Sequence, residues 1–478
     1  MLVHNRLEQD PRVSRQARTI VEMGYRAAVL CAAVPPGPGG YRWGAWVAGA
    51  TVYESGPQAT ILGHARALLT RLARVRPGLA ARDTHWWVPG SHRRAGARDD
   101  VPAHQGTHVH RPDRLPQVPT RASRVPACGC LALPGTGWSH ASGIVGTTIQ
   151  DFWDFGRLLY WNLTIFRQFR SIGAAVIHAN DLNVLPAGFL LARAWRAQLL
   201  YDSHELWVEQ DTEWTPFYRR LQGWLERFLI RRADAVLTVN GAIADELAAR
   251  YGIARPSVVM NCPEAPDLQE PPRIEPNLLL RTIYQGVLVP NRGLSEVVDA
   301  VAATPETGLV LRGPGNLKSD LEAQIGELGV GDRVCVADPV PMAGMVPALH
   351  GFAIGFVPIL PKGMSYTLCS PNKLFEYMSA GLAVICSDLP VLREIVLETG
   401  CGLLVPPGDR EAISAALQRL AADPDLLLTM RTRALTAARD RYNAEIEQRR
   451  LRAVYARLLA RGRRSARRRT GLPGKEGS

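Results

Sequence analysis

The sequence predicts an α/β protein with two domains, each built on a parallel sheet and facing the other across a cleft. Short apolar runs alternate with helical patterns in two separate series, which is typical of parallel sheets with helices on both faces. A proline-rich stretch at 263–277 without periodicity separates the two series. We therefore expect two Rossmann-like domains joined by a hinge, with ligands bound at the carboxyl ends of the strands.

The composition indicates a globular protein with an anionic partner. Hydrophobic residues make up 46% and charged residues 21% of the 478 positions, which is ordinary. The net charge of +12 is high, and arginine supplies nearly all of the excess. The only lysines are Lys318, Lys362, Lys373 and Lys475. Such a charge favours a nucleotide, a nucleic acid or an acidic membrane surface as the partner.

The cysteine and hydropathy patterns predict a cytoplasmic protein. Only Cys128 and Cys130 are close in sequence, and without a second pair they predict no metal site. The N-terminus lacks a charged region followed by an apolar one, and the most apolar stretch, 184–200, is interrupted by Arg193 and Arg196. We expect reduced thiols, no secretion and no membrane-spanning segment.

The N-terminal domain is predicted over 1–262 and begins with a strand–helix–strand unit at 1–33. Residues 34–148 are different, being rich in proline, glycine, arginine, tryptophan and histidine, with a helical stripe only at 61–75. A structureless run of this length is unusual within a compact domain. It is either a loosely folded insert or a stretch translated from a shifted reading frame of a GC-rich gene.

Strand–helix alternation resumes near residue 150, with a helix predicted from Phe152 to Phe169. The strands "AAVIHAND", "AQLLYDSHE" and "DAVLTVN" follow, with helices between them. After the hinge, 278–442 carries the second series of strands and helices. A final helix at 443–462 is predicted to cross back to the first domain, and 463–478 is predicted to be a disordered basic tail.

The stretch "SPNKLFEYMSAG" (370–381) predicts a short helix with unusual charges. Ser370 suits the N-cap, Pro371 suits the first helical position, and Gly381 suits a left-handed stop. A helix N-terminus already attracts anions, and Lys373 adds a cation at that end. The combination favours a strongly negative ligand such as a diphosphate.

Several segments resemble family 4 (group 1) retaining glycosyltransferases. In the first domain these are "DPRVSRQARTIVEMGY" (10–25), "IHANDLNVLPAG" (177–188), "YDSHEL" (201–206), "RADAVLTVN" (232–240) and "VVMNCP" (258–263). In the second domain they are "YQGVLVPNRGLSEVVDA" (284–300) and "SPNKLFEYMSAGLAVICSDLPVLREIV" (370–396). The resemblance covers about 1–33 and 150–460. It implies the GT-B fold and transfer of a hexose from a UDP- or GDP-sugar to a hydroxyl acceptor, without metal or cofactor. The basic charge of the chain favours a role in cell-envelope polysaccharide or glycolipid synthesis.

The resemblance also implies roles for individual residues. Glu376 would bind the ribose hydroxyls of the donor, since a carboxylate accepts two hydrogen bonds from a diol. The residues implied at the diphosphate are Arg292, Lys373, Ser370, Asn372 and Gly286. In the implied mechanism the leaving diphosphate helps to deprotonate the acceptor while Arg292 and Lys373 stabilise the developing charge. The alternatives are a solvated Glu376 paired with Lys373, and Arg292 as a surface charge.

Polar residues at the ends of the first domain's strands are further candidates. The resemblance places His204 beside the donor sugar, in a cluster with Asp202 and Glu205. Asp181 and Asp10 each follow a predicted strand, and either could bind the acceptor or cap a helix.

Two departures from the family pattern weaken these assignments. Val287 follows Gly286 where many relatives carry a basic residue, and Leu368 stands where many carry a glutamate that contacts the transferred sugar. A sugar-nucleotide epimerase of the same fold and a non-catalytic sugar-nucleotide-binding protein therefore remain alternatives. Nucleic-acid binding is indicated by charge alone, so we expect no nucleic-acid partner.

Two basic segments of the sequence bear on where in the cell the protein is located. The sequence at 217–232 predicts a helix with Phe217, Trp224 and Phe228 on one face and arginines on the other, and the stretch from Arg449 to Arg469 contains no acidic residue. Basic amphipathic helices bind anionic lipid surfaces. These segments favour a peripheral position at the inner face of the membrane and a glycan or lipid-linked acceptor.

Overall fold

The computed structural model describes residues 2–3, 11–25, 27–32, 47–53, 142–210, 214–274 and 279–470. Asp10, the predicted helix at 61–75, and Cys128 and Cys130 lie outside these ranges.

Seven of the described strands form the first sheet, in the order β3-β2-β1-β4-β5-β6-β7. They are β1 (Leu2–Val3), β2 (Ala27–Ala32), β3 (Val47–Tyr53), β4 (Val176–Asn180), β5 (Gln198–Ser203), β6 (Ala235–Thr238) and β7 (Ser257–Val258). All neighbours are parallel except β2 and β3, which are antiparallel. The parallel α/β prediction is confirmed. The sequence predicted no strand at 47–53, however, and the segment there contributes an antiparallel edge.

Helices accompany the first sheet, as its alternating sequence predicts. They are α1 (Pro11–Glu22), α2 (Ser142–Phe169), α3 (Leu185–Trp195), α4 (Pro216–Ile230) and α5 (Gly241–Tyr251), with a 3₁₀ turn at Trp207–Glu209. The helix predicted from Phe152 begins earlier, at Ser142. Thr215 and Asn240 cap α4 and α5 with their side-chain oxygens, and Gly252 ends α5 in the left-handed conformation.

Six strands form the second sheet, all parallel, in the order β10-β9-β8-β11-β12-β13. They are β8 (Leu280–Gln285), β9 (Thr307–Arg312), β10 (Val334–Ala337), β11 (Ile354–Val357), β12 (Ala383–Ser387) and β13 (Gly402–Val405). The helices of this part are α6 (Leu294–Ala302), α7 (Lys318–Glu327), α8 (Met364–Thr367), α9 (Asn372–Ser379), α10 (Pro390–Thr399), α11 (Arg410–Ala422) and α12 (Pro424–Asp440), with 3₁₀ turns at Met342–Gly344 and Pro347–Leu349.

The strand order of each sheet reverses at one point, and the reversal positions a ligand crevice. In the first sheet the reversal lies between β1 and β4, and in the second between β8 and β11. Ligands of open α/β sheets bind beside the carboxyl ends of the strands at such points. The segments that follow β4, β5 and β8 are therefore where a site is expected.

A buried ion pair ties α1 to the centre of the first sheet. Arg12 donates to both carboxylate oxygens of Asp202, at 3.0 and 2.7 Å, and its Nη1 donates to the carbonyl of Val259 at 2.7 Å. Gln16 adds a third donor to Asp202 at 2.7 Å. Asp202 is fully buried and Arg12 is 4% exposed. Burial alone would raise the pKa of Asp202, but the Arg12 guanidinium and the neighbouring histidines hold it well below its usual range.

The final helix, α13 (Ala444–Thr470), packs on the first sheet although it follows the second. Leu451, Val454 and Leu458 are buried beside Ile20 of α1. The Tyr455 hydroxyl lies 2.9 Å from Nδ1 of His178 on β4. The helix continues to Thr470, so the prediction of a disordered tail from residue 463 is wrong as far as residue 470; residues 471–478 lie outside the described part.

The segment that connects the two sheets is fixed to the last two helices. The carbonyl of Pro263 accepts a hydrogen bond from the Ala444 amide at 2.7 Å. Arg431 of α12 is buried and donates to the carbonyls of Pro272 and Gly381. The described part of the predicted hinge, 263–274, is thus held by defined backbone contacts.

The buried and exposed faces of helix α4 differ from the predicted ones. Its buried face carries Leu225 and Leu229 together with Glu226, which accepts hydrogen bonds from the hydroxyls of Tyr201 and Tyr251 at 2.8 and 2.6 Å. Trp224 and Phe228 are exposed. The sequence placed the aromatic side chains opposite the arginines, whereas both types stand on the exposed face.

No helix among the described residues combines the length and the apolar character needed to cross a bilayer.

We predict that Arg12→Met lowers the free energy of unfolding by about 3–5 kcal/mol, because it leaves the Asp202 carboxylate buried without its cation. Urea unfolding followed by circular dichroism measures this change.

The matched control for that measurement is Arg393→Met. Arg393 pairs with both oxygens of Asp388 at 2.6 and 2.7 Å, but at the surface. Exposed pairs contribute little, so this variant should unfold close to the wild type. Equal unfolding midpoints for the two variants would show that the buried pair does not stabilise the first sheet.

Candidate active site

A cleft of about 670 Å³ lies between the carboxyl ends of the two sheets. Its lining from the first sheet's side is Arg12, His204, Glu205, Gln210, Val239, Ile243 and Asn261. Its lining from the second sheet's side is Tyr284, Gln285, Gly286, Val287, Arg292, Met345, Ser365, Tyr366, Cys369, Ser370, Pro371, Asn372, Lys373 and Glu376.

Lys373 projects its ammonium group into a space that a glycine leaves open. Gly286 follows β8 with a φ of +149°, and a Cβ added there would lie 2.9 Å from Lys373 Nζ. This is a conformation and a distance that favour glycine. Nζ lies 3.6 Å from the centre of the Tyr284 ring, a cation–π contact.

Lys373 is buried and, within the described ranges, forms no ion pair with a carboxylate. Burial and the positive charge of Arg292 hold the pKa of Lys373 well below its usual range. A bound anion would offset both effects.

Helix α9 begins one residue later than predicted. Asn372 is its first residue and Pro371 its N-cap, and no side chain caps it. Ser370 instead accepts a hydrogen bond from Nδ2 of Asn240 at 3.2 Å, across the cleft, so its predicted N-cap role is wrong. Among the described residues, no side chain therefore caps the amides of the first turn. Gly381 follows the helix with a φ of +67°, as the left-handed stop requires.

Glu376 lies half-buried on the cleft and is held by a glutamine. Gln285 Nε2 donates to Glu376 Oε2 at 3.1 Å, and Arg312 Nη1 donates to Gln285 Oε1 at 3.2 Å. Burial raises the pKa of Glu376. The ion pair with Lys373 that the sequence offered as an alternative is not formed, because Lys373 turns to Tyr284.

Arg292 is presented by a tight turn before α6. Asn291 and Gly293 both adopt left-handed backbone conformations, with φ of +66° and +59°. A Cβ at Gly293 would lie 2.3 Å from the carbonyl oxygen of Pro358, so only glycine fits there. The Arg292 guanidinium lies 4.9 Å from the centre of the Tyr366 ring. It lines the same cleft as Lys373, which places two cations together.

His204 lies on the opposite wall between two carboxylates. Nδ1 is 3.3 Å from Asp181 and Nε2 is 3.5 Å from Asp202. Burial lowers the pKa of His204, but the two negative charges outweigh it and raise the pKa to about 9. The imidazole is therefore positively charged at neutral pH.

Asp181 orients His204 from the end of β4. It has a left-handed backbone, with φ of +64°, and its Oδ1 accepts a hydrogen bond from the His204 amide at 3.1 Å. Its own amide donates to the carbonyl of Asp202 at 2.9 Å. A non-glycine residue in this conformation is strained and is retained where surrounding contacts fix it. Asp181 therefore contacts His204, and α3, the next helix, begins after Val184 without a side-chain cap.

Glu205 belongs to the cleft, although the sequence noted it only as a neighbour of His204. Gln210 donates to its Oε1 at 2.7 Å, and the hydroxyl of Ser365, from the second sheet's side, donates to Oε2 at 3.2 Å. The carboxylate is open to the cleft, yet the surrounding protein desolvates it, and Asp181 adds negative charge. Together they raise its pKa to about 7.

The two residues that depart from the family pattern have different environments. Val287 is exposed, and its carbonyl accepts a hydrogen bond from the Tyr284 hydroxyl at 3.0 Å. Leu368 packs against the core of the first sheet, and its carbonyl accepts from Asn240 Nδ2 at 2.8 Å. A side chain at position 368 thus contributes to contact between the two halves.

The structure brings most of the predicted site residues into one cleft. Those that line it are His204, Arg292, Lys373, Glu376, Asn372, Ser370 and Gly286. Asp181 contacts His204 from behind. Sequence reasoning missed Tyr284, Gln285 and Asn240. Tyr284 and Gln285 lie at the carboxyl end of β8, where ligands of such sheets bind, so the sequence could have indicated them. The sequence around Asn240 indicates only a helix N-cap.

Two family models match the chain in succession. The model of the glycosyl transferase 4-like domain matches residues 104–263, and that of glycosyl transferases group 1 matches residues 281–423. The first match begins inside the stretch at 34–148, earlier than the sequence resemblance predicted. Alpha-D-kanosaminyltransferase of Streptomyces kanamyceticus is 24% identical over 336 residues, which cover 66% of this chain and 83% of that protein.

Solved structures share the fold. Sucrose-phosphate synthase from Thermosynechococcus elongatus matches with a TM-score of 0.54 and 20% identity, over 63% of this chain and 79% of that one. Anabaena HepE, solved in complex with UDP, matches with a TM-score of 0.50 and 17% identity, over 62% of this chain and 82% of that one.

The two family matches fall on the two sheets, in the order that the sequence predicts. The chain therefore belongs to the group 1 glycosyltransferases and has the GT-B fold.

Proposed function

We propose that the protein transfers a hexose from a UDP- or GDP-sugar to a hydroxyl acceptor, with retention at the anomeric carbon. The observation that carries the proposal is the pair of cations Lys373 and Arg292, which share one cleft with the carboxylate of Glu376. A buried ammonium without a carboxylate partner is unfavourable, and a diphosphate would supply the missing negative charge. The first-turn amides of α9 add donors for the same anion.

Glu376 is the residue that we assign to the ribose of the donor. Its Oε2 accepts a hydrogen bond from Gln285, which fixes the carboxylate and leaves Oε1 for a diol hydroxyl. Glu376, Lys373 and Arg292 line one cleft, so a single nucleotide sugar is proposed to contact all three through its ribose and its diphosphate.

The proposed reaction is a displacement on one face of the sugar. The bond between the anomeric carbon and the diphosphate oxygen breaks, the acceptor oxygen bonds to that carbon, and its proton passes to the leaving diphosphate. Lys373, Arg292 and the amides of α9 stabilise the negative charge that develops on the diphosphate. His204, positively charged between Asp181 and Asp202, would position the donor sugar. No metal ion is required by this scheme.

We assign the acceptor to the cell-envelope glycans or lipid-linked sugars, reached at an anionic membrane surface. The support is the charge of the chain, +12 overall, and the arginine-rich α13. Such surfaces attract basic segments of proteins.

The function is tested by incubating the purified protein with UDP-, GDP- and ADP-hexoses and measuring thermal stabilisation. A bound donor raises the melting temperature by mass action, so at least one UDP- or GDP-sugar should do so in the presence of EDTA. The product must then contain a new glycosidic bond. A changed sugar on the donor without an acceptor would instead identify an epimerase, and no turnover with any acceptor would identify a binding protein.

Substitutions in the proposed donor site should distinguish the residues that bind the diphosphate from the residue that binds the ribose. Lys373→Met and Arg292→Gln should each lower the affinity for UDP by roughly 10- to 100-fold while leaving uridine binding unchanged, because they contact the diphosphate. Glu376→Ala should lower the affinity for UDP, and this loss should disappear with 2′,3′-dideoxy-UDP. Isothermal titration calorimetry measures these affinities, with GDP and guanosine in place of UDP and uridine if the donor screen selects GDP.

The control for Lys373 is Lys362→Met, which removes an exposed lysine of the same half of the molecule. Its affinity for the nucleotide should equal that of the wild type. Unchanged affinity in Lys373→Met as well would remove Lys373 from the donor site.

His204 should give activity an alkaline limit. Because its pKa is raised from 6.5 to about 9, it is charged below pH 9 and loses its proton as pH rises through that value. We expect kcat/KM to fall above about pH 9, and His204→Gln, which is neutral throughout, to abolish that limb while lowering the plateau. A limb that persists near pH 9 in the glutamine variant would assign the titration to another group.

A further inference from the structure

A second cavity, of about 620 Å³, lies where the end of α4 meets α13. It shares no lining residue with the cleft. Its walls are the end of α4, β6, the loop at 252–257 and one face of α13. Four arginines line it: Arg231, Arg255, Arg457 and Arg461. We call it the arginine cavity.

Three of the four arginines contact only uncharged groups among the described residues. Arg231 Nε donates to the Tyr251 carbonyl at 2.7 Å, Arg457 to the Ser257 hydroxyl at 3.5 Å, and Arg461 to the Asp234 carbonyl at 3.3 Å. None of these bonds neutralises the charge of the guanidinium group.

Two carboxylates stand nearby. Asp245 forms an ion pair with Arg255 at 2.6 Å, and Asp234 lines the cavity, where its side chain accepts a hydrogen bond from the Leu199 amide at 2.8 Å. Four guanidinium groups against two carboxylates leave the arginine cavity positive. Guanidinium groups bind phosphate in preference to other common anions, because their fork of N–H donors matches two phosphate oxygens.

An aromatic pair stands beside the arginine cavity on the exposed face of α4. Trp224 is 62% and Phe228 39% exposed, and their rings stack with centroids 5.8 Å apart. The Arg232 guanidinium covers the Phe228 ring at 3.5 Å. Arg227 is exposed on the same face. Phe228 follows Trp224 by four residues and precedes Arg231 by three, so the aromatic pair and an arginine of the cavity lie on the same side of α4.

We propose that this surface binds the anionic headgroups of a lipid bilayer, with phosphate in the arginine cavity and Trp224 and Phe228 at the level of the headgroups. Tryptophan is enriched at that depth, and arginine keeps its charge there while its stem covers apolar surface. A basic surface with exposed aromatic side chains gains both electrostatic and apolar contributions from an anionic bilayer. The inference rests on one part of the proposed function, the acceptor at an anionic membrane surface, and names the part of the protein that would contact this membrane.

A single-stranded nucleic acid fits this surface less well. Bases bind by stacking on free aromatic rings. Here the Phe228 ring already contacts Trp224 and Arg232, so it offers a poor platform for stacking.

The test is co-sedimentation of the full chain with vesicles of phosphatidylcholine alone or of equal parts phosphatidylcholine and phosphatidylglycerol. We expect binding to the anionic vesicles only, weakened by added salt. Arg457→Gln/Arg461→Gln should lower the partition coefficient roughly 10- to 30-fold, since each arginine near an anionic surface adds to binding. Trp224→Ser/Phe228→Ser should lower it several-fold. Arg457→Lys/Arg461→Lys should lower it less than the glutamine variant does, because lysine keeps the charge but not the guanidinium fork.

The matched control is Arg410→Gln/Arg419→Gln, which removes the same charge from α11 on the second sheet. It should bind vesicles like the wild type. Equal losses in control and test variants, no binding by the wild type, or single-stranded DNA that displaces the vesicles and depends on the same arginines would each overturn the proposal. Thermal stabilisation by the donor should be unchanged in all variants, so this result separates failure of the membrane surface from failure of the proposed function.

Discussion

The first half of the molecule is organised around the buried carboxylate of Asp202. Arg12 fixes it from α1, and the same guanidinium holds the carbonyl of Val259 after β7. His178 on β4 faces the same carboxylate at 3.5 Å and contacts Tyr455 of the returning helix α13. The carboxylate of Asp202 on β5 thus connects α1, β4 and the end of β7 through Arg12 and His178, and it connects α13 through the contact of His178 with Tyr455. Its ionised state also sets the chemistry of the cleft, because Asp202 is one of the two carboxylates that keep His204 protonated.

The opposite wall of the cleft carries two cations, Lys373 and Arg292, and neither forms an ion pair with a carboxylate among the described residues. Lys373 rests on Tyr284 and Arg292 on Tyr366, and aromatic rings stabilise a cation without neutralising it. The two walls are joined by hydrogen bonds from Asn240 to Leu368 and Ser370, and from Ser365 to Glu205. These contacts place Lys373 and Arg292, the cations of the proposed donor site, against a wall that carries Glu205 and His204. Glu205, with its pKa near 7, lines the cleft on the wall opposite the two cations.

The sequence predicted what depends on local pattern and missed what depends on distant partners. The alternation of strands and helices predicted both sheets, and the carboxyl-end rule placed His204 at the edge of the cleft. Arg292 and Lys373, which line the same cleft, were implied by the family resemblance. The start of α9 was misplaced by one residue because Ser370 bonds to Asn240, 130 positions away. The buried face of α4 was predicted wrongly because it includes Glu226. This carboxylate is buried, where it accepts hydrogen bonds from the hydroxyls of Tyr201 and Tyr251. Strand β3 was not predicted because it lies in the stretch at 34–148, whose composition is unusual for a folded domain.

Hydrogen–deuterium exchange of the full chain, with and without the nucleoside diphosphate of its donor, tests the central claim most directly. The cations and the start of α9 are proposed to hold the diphosphate, so protection should appear at 284–294 and 366–377 and be absent from the arginine cavity at 252–257. Protection should be lost in Lys373→Met and retained in Lys362→Met. Protection confined to other segments, or unchanged in Lys373→Met, would contradict the assignment of this cleft to the donor.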